Sequence, residues 1–504
     1  MRGVGCLTDM LMPRLINTAL IFLAPATIAA QSTAAIDSHI TREMRERRIP
    51  GVSYAVVNDG KIVLRKAYGF GNLETEMPLT VSSVFELASV TKQFTAAAIM
   101  LLVEDGKVKL DDPINNYFDQ PPAIWQGITV RQLLTHTAGL QAGGVVNHQG
   151  SPLLYISTKQ AYEMISARPL FLQPGTHGFY ADAGYFLLGM IIEKASGMPY
   201  RAFLQRRIFD PLQMTQSSVL DKRRILKGRV ATYEFSSAQP RLPGMDPAPA
   251  DSLVNWRRDW QYELPSFFGI FSTLDDLAKW STSLHRRTLL KQESLEQMWT
   301  PAKLTSGGHA MVIGDLYGLG FLINDVRGHR FAGHGGASGT FILHFLDAPI
   351  SVIVLSNLAS TAGRHAPMLA RAIAGLYSKE YQAVERLGVS LDSEPELTNS
   401  VRALLPEFAA GRTTDFMTEA HKAYFNDMPA SFRNRLNEPL GKVTGLTRVT
   451  CDNVEGRGIR YTDVVARICY FGGVGGSRPI YISVYLTREG KGAHLTFEGI
   501  GDRL

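Results

Sequence analysis

The sequence predicts an α+β protein in which one antiparallel sheet, built from strands at both ends of a large domain, packs against helices. Residues 51–70 read as a hairpin, with an Asn-Asp-Gly turn between two strand-like runs. Alternating apolar segments return over residues 317–357, followed by an apolar helix near 365–377, whereas a mainly helical region fills residues 85–300. Because strands flank this helical region, we expect the two ends of the domain to close a single sheet.

The first thirty residues have the pattern of a secretory signal peptide rather than of folded structure. Arg14 precedes an apolar run over residues 15–28, and the small residues Ala29 and Ala30 then lead into a polar segment, as at a cleavage site. The run is short for a membrane span. We therefore expect residues 1–30 to be removed, and the protein to be periplasmic or secreted with no transmembrane span after cleavage.

A helix predicted over residues 90–103 is uncharged on every face except at Lys92. Such a helix is normally buried, and a lysine is almost never fully buried unless it is paired or used. Ser89 lies three residues earlier, about one turn away on the same face. A lysine whose burial favours its neutral form can take the proton of such a serine and make it a nucleophile. The alternative is that Ser89 only caps the helix while Lys92 extends to water.

The end of the chain predicts a linker and a second, smaller α+β domain. Residues 378–397 are polar and contain a proline, which is typical of a linker. An amphipathic helical stretch over residues 401–424 then precedes three or four strands with Gly-rich turns, so residues 398–504 form the predicted accessory domain. Cys451 and Cys469 lie in strand-like stretches and form either a disulfide or two buried thiols.

Composition limits the classes of partner and cofactor. The 504 residues are 45% hydrophobic and 19% charged, which is typical of a globular protein. The excess of 52 basic over 46 acidic residues is small, so we expect no nucleic-acid partner and at most a weak contact with the anionic cell envelope. The sequence contains no C-x-x-C or H-E-x-x-H pattern. We therefore expect no metal site.

Two further stretches accompany the serine and lysine. Residues 180–182, Tyr-Ala-Asp, precede a predicted helix, and residues 334–336, His-Gly-Gly, begin where a strand is predicted. Over about residues 38–376 the chain resembles the serine hydrolases of the class C β-lactamase-like superfamily, which includes D,D-peptidases, D-aminopeptidases and β-lactamase-fold carboxylesterases. The resemblance implies a β-lactamase/D,D-peptidase-like catalytic domain over residues 31–377. It rests on six stretches in order: SVTK, ITVRQLLTHTAGL, YAD, IFDPLQMTQS, FSTLDDLAKW and HGG.

Carried over by position, the resemblance implies a role for each residue of these motifs. Ser89 would attack a carbonyl and become acylated, while Lys92 and Tyr180 would share its proton, return it to the leaving group and help to activate water. The backbone amides of Ser89 and Ala337 would form the oxyanion hole, and Gly336 would let the strand edge approach the substrate closely.

The sequence departs from the β-lactamase pattern at two substrate-binding positions. Asp182 stands where these enzymes usually have an asparagine, and an ionised carboxylate cannot donate a hydrogen bond and favours a protonated Lys92. His334 stands where they usually have a lysine, and it is mostly neutral at pH 7. Both departures argue against efficient β-lactam hydrolysis and favour an esterase or a D-amino-acid peptidase.

We therefore expect an exported serine hydrolase of the carboxylesterase or D-amino-acid peptidase type, with an acyl-enzyme on Ser89. It would act on a small-molecule or peptide substrate without an organic cofactor. The alternative is a non-catalytic binding or regulatory protein of the cell envelope with the same fold, in which a Lys92–Asp182 ion pair leaves the serine unactivated. His136, in the stretch LLTHTAGL, is interpreted as a hydrogen-bonded structural histidine rather than a catalytic one.

Overall fold

The structure is a computed structural model. It describes residues 24–141, 155–221, 224–236, 252–256, 261–312, 315–359, 365–382, 394–427, 430, 438–460, 463–475 and 478–499. The helices within these ranges are α1 Ala24–Arg47, α2 Thr91–Glu104, α3 Val130–Leu134, α4 Thr158–Ser166, α5 Asp182–Ser196, α6 Tyr200–Leu204, α7 Leu274–Arg286, α8 Gln292–Met298, α9 His365–Tyr377, α10 Pro395–Ala409 and α11 Glu419–Asp427. The strands are β1 Gly51–Asn58, β2 Lys61–Asn72, β3 Met77–Pro78, β4 Phe85–Glu86, β5 Tyr155–Ile156, β6 Ser218–Val219, β7 Tyr233–Phe235, β8 Leu253–Asn255, β9 Gln261–Tyr262, β10 Ile270–Ser272, β11 Met311–Val312, β12 Asp315–Tyr317, β13 Leu322–Val326, β14 His329–Gly336, β15 Thr340–Phe345, β16 Ile350–Ser356, β17 Val443–Arg460, β18 Asp463–Gly475, β19 Arg478–Leu486 and β20 Gly492–Gly499.

The main sheet is closed by strands from the two ends of the large domain, as the sequence predicts. Its order is β11-β12-β13-β14-β15-β16-β1-β2-β3, and β1 pairs antiparallel with β16 so that Val52 lies opposite Ser356. The predicted hairpin is β1–β2, whose turn residues Asp59 and Gly60 have φ angles of 47° and 72°. Positive φ at both turn positions suits the tight turns that match the twist of the two strands.

Helices cover the two faces of this sheet in separate apolar clusters. One cluster joins β1, β15 and β16 to the helices α1 and α9, with Ile36 and Ile373 among its fully buried members. The larger cluster contains α2, α5 and α7. This larger cluster is the predicted helical region, and it places α2 at the centre of the domain.

The helix α2 is apolar on all sides because it is buried on all sides. Its first twelve residues are buried, and Phe94 stacks on Trp280 of α7 with ring centroids 4.3 Å apart. The buried polar side chains of α2 also have partners: Gln93 Oε1 accepts from Trp280 Nε1 at 3.0 Å, and Thr95 Oγ1 donates to the Ser266 carbonyl at 2.6 Å. A lysine in such a helix therefore needs acceptors of its own.

The C-terminal part of the chain contains a four-stranded antiparallel sheet in the order β17-β18-β19-β20. Cys451 and Cys469 lie directly opposite each other on β17 and β18 and form a disulfide. The predicted helical stretch over residues 401–424 is instead two helices, because α10 ends near Gly411, whose φ of 75° is typical of a helix C-terminus. The helix α10 begins at Pro395, inside the predicted linker, and residues 383–393 of that linker lie outside the described ranges.

The C-terminal four-stranded sheet contacts the main sheet at the β13–β14 turn. Arg327 in that turn donates to both carboxylate oxygens of Asp452 on β17, at 3.1 Å and 2.9 Å. The next turn residue, Gly328, lies so close to Val454 that a Cβ would be 2.6 Å from its Cγ1. The C-terminal sheet therefore contacts one end of the β13–β14 hairpin. The second strand of this hairpin, β14, ends at the His-Gly-Gly segment.

The predicted signal peptide is only partly within the described ranges. The helix α1 begins at Ala24, so the predicted cleavage point after Ala30 falls inside it. Among the described helices, none combines the length and the apolar character needed to cross a bilayer.

Candidate active site

Ser89 lies in a tight turn immediately before α2. Residues Ala88–Val90 form a 3₁₀ turn, and the Leu87 amide before it donates to the Ile270 carbonyl at 2.8 Å, which ties the turn to β10. Ala88 has a φ of 46°, a conformation that residues with a Cβ seldom adopt. Strained residues of this kind cost about 1–3 kcal/mol and cluster at functional sites. The turn leaves the Ser89 side chain half-buried rather than enclosed in the core.

The side chain of Lys92 is completely buried and surrounded by acceptors. Its Nζ lies 3.2 Å from Ser89 Oγ, 2.7 Å from Asp182 Oδ1 and 3.0 Å from the Phe267 carbonyl oxygen. An ammonium group has three N–H donors and no acceptor, so this environment matches a protonated lysine. The lysine is therefore buried because it is paired, and the same ammonium contacts both the candidate nucleophile and an aspartate.

Tyr180 and Asp182 reach this lysine from the start of α5. Asp182 is the first residue of α5, where the positive end of the helix dipole favours a carboxylate. The ring centroid of Tyr180 lies 4.8 Å from Lys92 Nζ. A cation this close to the ring is attracted by the negative face of the π system.

Three contacts join His136 to the chain segment around Tyr180. Its carbonyl accepts from the Phe179 amide at 2.8 Å, its Nδ1 accepts from the Ala181 amide at 3.2 Å, and its ring lies 4.3 Å from the Tyr180 ring. An Nδ1 that accepts from an amide carries no proton, so the ring is neutral in this arrangement. Burial, and then the charge of Lys92, hold the pKa of His136 well below its usual value. We therefore interpret this histidine as a positioning residue for Tyr180.

His334 is enclosed in the core, with both ring nitrogens occupied. Its Nδ1 lies 2.7 Å from the Gly335 carbonyl oxygen, and its Nε2 lies 3.0 Å from the Tyr317 hydroxyl. A carbonyl only accepts, so Nδ1 carries the proton and Nε2 accepts from Tyr317. Burial, and then the charge of Lys92, lower the pKa of His334 to about 3. The residue is 1% exposed, so in this conformation its ring presents no cation and no free donor to a substrate.

The end of β14 lies directly against the turn that carries Ser89. A Cβ on Gly336 would lie 2.1 Å from the Leu87 carbonyl oxygen, so only glycine permits this approach. Ala337 follows in the turn before β15 and is partly exposed. The arrangement brings the chain segment of Ala337 to the segment of Ser89, as two halves of an oxyanion hole require.

Two buried hydroxyl groups fasten these two segments together. Ser338 Oγ donates to the Glu86 carbonyl at 2.6 Å, and Thr340 Oγ1 donates to the Leu87 carbonyl at 3.0 Å. Both side chains are almost fully buried, at 1% and 0% exposure. Their hydrogen bonds fix the spacing between the β14–β15 turn and the Ser89 turn.

The structure thus brings Ser89, Lys92, Tyr180 and Asp182 together and places Gly336 and Ala337 beside them, whereas the His334 ring is turned into the core. The sequence analysis interpreted His136 as a hydrogen-bonded structural histidine, in agreement with these contacts. It missed the other residues that hold this arrangement, which are Phe267, Tyr317, Ser338 and Thr340. The signal for two of them was available, because Ser338 and Thr340 follow His-Gly-Gly in the same stretch. Within the described ranges, no group of three or more His, Cys, Asp or Glu is placed to hold a metal ion.

Comparisons with known proteins identify the family and the fold of the chain. The model of a family described as Beta-lactamase matches residues 36–375. A penicillin-binding protein of Bacillus subtilis (strain 168) is 27% identical over 351 residues, which are 65% of this chain and 72% of that protein. A D-aminopeptidase of Brucella anthropi is 25% identical over 383 residues, 73% of this chain and 68% of that protein. The solved structure of an octameric penicillin-binding protein homologue from Pyrococcus abyssi is similar in fold, with a TM-score of 0.60 at 23% identity over 92% of this chain and 98% of that chain.

Proposed function

The chain belongs to the beta-lactamase family of serine hydrolases, and from this premise we propose that it is an exported enzyme that cleaves an ester or a D-amino-acid amide. The reaction would pass through an acyl-enzyme on Ser89. The observation that carries the proposal is the contact of 3.2 Å between Ser89 Oγ and the buried Nζ of Lys92. A serine in a strained turn beside a fully buried cation is more than a helix cap requires.

The contacts support different chemical roles for Lys92 and Tyr180. Lys92 has three acceptors, so it acts as a fixed positive charge that stabilises negative charge developing on Ser89 Oγ. For this step Tyr180 starts as a phenolate, whose negative charge the neighbouring cation stabilises, and it takes the proton of the hydroxyl as Oγ bonds to the substrate carbonyl. The leaving group receives that proton from Tyr180 as its bond to carbon breaks. A water molecule then attacks the acyl-enzyme, and Tyr180 takes the proton of the water and returns it to Ser89 Oγ as the acid product leaves.

The type of substrate follows from the two substituted positions. A β-lactam carries a carboxylate, and the buried neutral ring of His334 offers it no positive charge. Asp182 offers an acceptor where an amide donor would be needed. A neutral ester or an amino-acid amide avoids both mismatches, and the name of the relative from Brucella anthropi, a D-aminopeptidase, agrees with this choice.

Hydrolysis of p-nitrophenyl acetate by the purified protein tests the proposal. We expect turnover that Ser89→Ala abolishes while the circular dichroism spectrum stays unchanged. Ser82→Ala is the matched control, because Ser82 is an exposed serine of the preceding turn and its loss should leave the rate unchanged. Equal rates for wild type and Ser89→Ala would refute the assignment of the nucleophile.

A second candidate, a non-catalytic binding or regulatory protein of the envelope, is favoured by the ion pair of 2.7 Å between Lys92 and Asp182. A lysine held in this way cannot itself accept the serine proton. In the same assay, this candidate requires no Ser89-dependent turnover by folded protein. Export is tested separately, by sequencing the N-terminus of protein recovered from the cell envelope or the medium, which we expect to begin near Gln31.

A further inference from the structure

The ion pair beside Ser89 is asymmetric with respect to solvent. The Lys92 side chain is 0% exposed, whereas that of Asp182 is 27% exposed. The positive end of the pair is therefore inside the protein and the negative end faces out. Asp182 contacts this lysine through Oδ1, and a carboxylate has about four acceptor sites on its two oxygens. Acceptor capacity thus remains on the exposed side of the carboxylate.

This carboxylate is within reach of a group attached next to the reacting carbonyl. Ser89 Oγ and Asp182 Oδ1 both accept hydrogen bonds from Lys92 Nζ. The distance between these two oxygens is therefore at most the sum of the two contact distances, 3.2 Å and 2.7 Å. In an α-amino acyl group, the nitrogen lies about 2.5 Å from the carbonyl carbon. When that carbon is in contact with Ser89 Oγ, the nitrogen can therefore lie at hydrogen-bonding distance from the Asp182 carboxylate.

From this geometry we infer that Asp182 forms a subsite for a cationic amine on the acyl side of the substrate. The inference rests on the proposed function and specifies its substrate class: esters and amides of α-amino acids with a free amino group, in preference to neutral or N-acylated ones. A charge-assisted hydrogen bond of this type is about twice as strong as a neutral one.

The same contact gives the ion pair a role in the reaction. A substrate ammonium on Asp182 competes with Lys92 for the carboxylate and places a second positive charge near it. Two cations then share one carboxylate, so Asp182 holds the lysine less firmly when this substrate is bound. The ammonium group of Lys92 is then more available to the negative charge that develops on Ser89 Oγ.

The test compares alanine methyl ester with methyl isobutyrate, in which a methyl group replaces the ammonium group at nearly the same size. Hydrolysis is followed by titration at about pH 6.5, where the amine is protonated. We expect Asp182→Asn to lower the wild-type preference for the alanine ester, measured as a ratio of kcat/KM values, by about ten- to a hundredfold. Some preference should remain in this variant, because the electron-withdrawing ammonium group itself makes the ester carbonyl more reactive.

Asp119→Asn is the matched control. Asp119 pairs with Lys194 near the other end of α5, about 18 Å along the helix from Asp182, and its loss changes the net charge equally. The ratio should remain as in the wild type. A wild-type ratio near one, or a ratio that Asp182→Asn leaves unchanged, would overturn the inference.

A binding measurement keeps the test decisive if Asp182→Asn has no turnover. In the Ser89→Ala background, calorimetry should find tighter binding of the alanine ester than of methyl isobutyrate, and the added Asp182→Asn change should remove the difference. Equal binding of the two esters in the Ser89→Ala protein would overturn the inference. Failure of the proposed function gives a different result, namely no Ser89-dependent hydrolysis of p-nitrophenyl acetate.

Discussion

Replacing Thr340 with valine tests whether the spacing of the two oxyanion-hole segments matters for catalysis. The change keeps the shape of the side chain and removes the hydroxyl that donates to the Leu87 carbonyl at 3.0 Å. That carbonyl still accepts from the Val90 amide at 3.2 Å, so it is not left without a partner. The loss of one net hydrogen bond should therefore cost only about 1 kcal/mol of folding free energy.

The effect on the rate should exceed the effect on stability. Removing one oxyanion-hole donor outright lowers kcat by about 10²–10³. Thr340→Val leaves both amides present and only loosens their spacing, so we expect kcat to fall by about tenfold, or about 1.4 kcal/mol on the barrier. KM should change little, because the contact matters when charge develops on the carbonyl oxygen.

The assay is steady-state hydrolysis of p-nitrophenyl acetate, with thermal unfolding measured on the same samples. Thr340→Ser is the matched control, because it keeps the hydroxyl and loses only a methyl group. It should retain most of the wild-type kcat. A folded Thr340→Val protein whose kcat lies within about twofold of the wild type would refute the reasoning that this hydrogen bond positions the oxyanion hole.

Three further predictions concern the scaffold. Burial lowers the pKa of His285 to about 4, whereas a histidine of the unfolded chain has a pKa near 6.5, so between these values the unfolded state binds more protons. The midpoint of thermal unfolding should therefore fall as the pH falls from 6.5 to 4. A midpoint that does not change over this range would contradict the prediction. For the contact between Arg327 and Asp452, a double-mutant cycle to alanine should give a coupling free energy of unfolding of about 1 kcal/mol that decreases in high salt, whereas strict additivity would mean that the ion pair does not hold the accessory domain. The disulfide between Cys451 and Cys469 spans 18 residues, so replacing both with alanine should destabilise the accessory domain by about 3 kcal/mol in chemical denaturation, and an unchanged denaturation midpoint would argue against the bond.

Local pattern was sufficient for much of the scaffold. The Asn-Asp-Gly turn and its flanking strands predicted the first hairpin, and the positions of the strands along the chain predicted that both ends of the domain share one sheet. The apolar character of α2 predicted its burial on all sides. These features depend on periodicity and turn chemistry, which are written in consecutive residues.

The choice of partners inside the site could not be read in this way. Whether His334 faces the substrate or the core depends on the Tyr317 hydroxyl, which comes from a different strand. The role of His136 depends on hydrogen bonds from the backbone amides of Phe179 and Ala181, which lie far away in the sequence. The Phe179 amide donates to the backbone carbonyl of His136, and because every residue has such a carbonyl, the sequence does not reveal this contact. The direction of the Lys92–Asp182 pair, with its negative end outward, follows from burial, which a one-dimensional pattern does not specify.

The most direct test of the central claim is the intact mass of the protein after exposure to a fluorophosphonate, with peptide mapping of the adduct. An activated serine attacks this reagent and keeps the phosphonyl group, whereas an ordinary hydroxyl does not. We expect one adduct, on the peptide that contains Ser89, and none in Ser89→Ala. Folded wild-type protein without an adduct, or with its adduct on another residue, would contradict the claim that Ser89 is the nucleophile of a serine hydrolase.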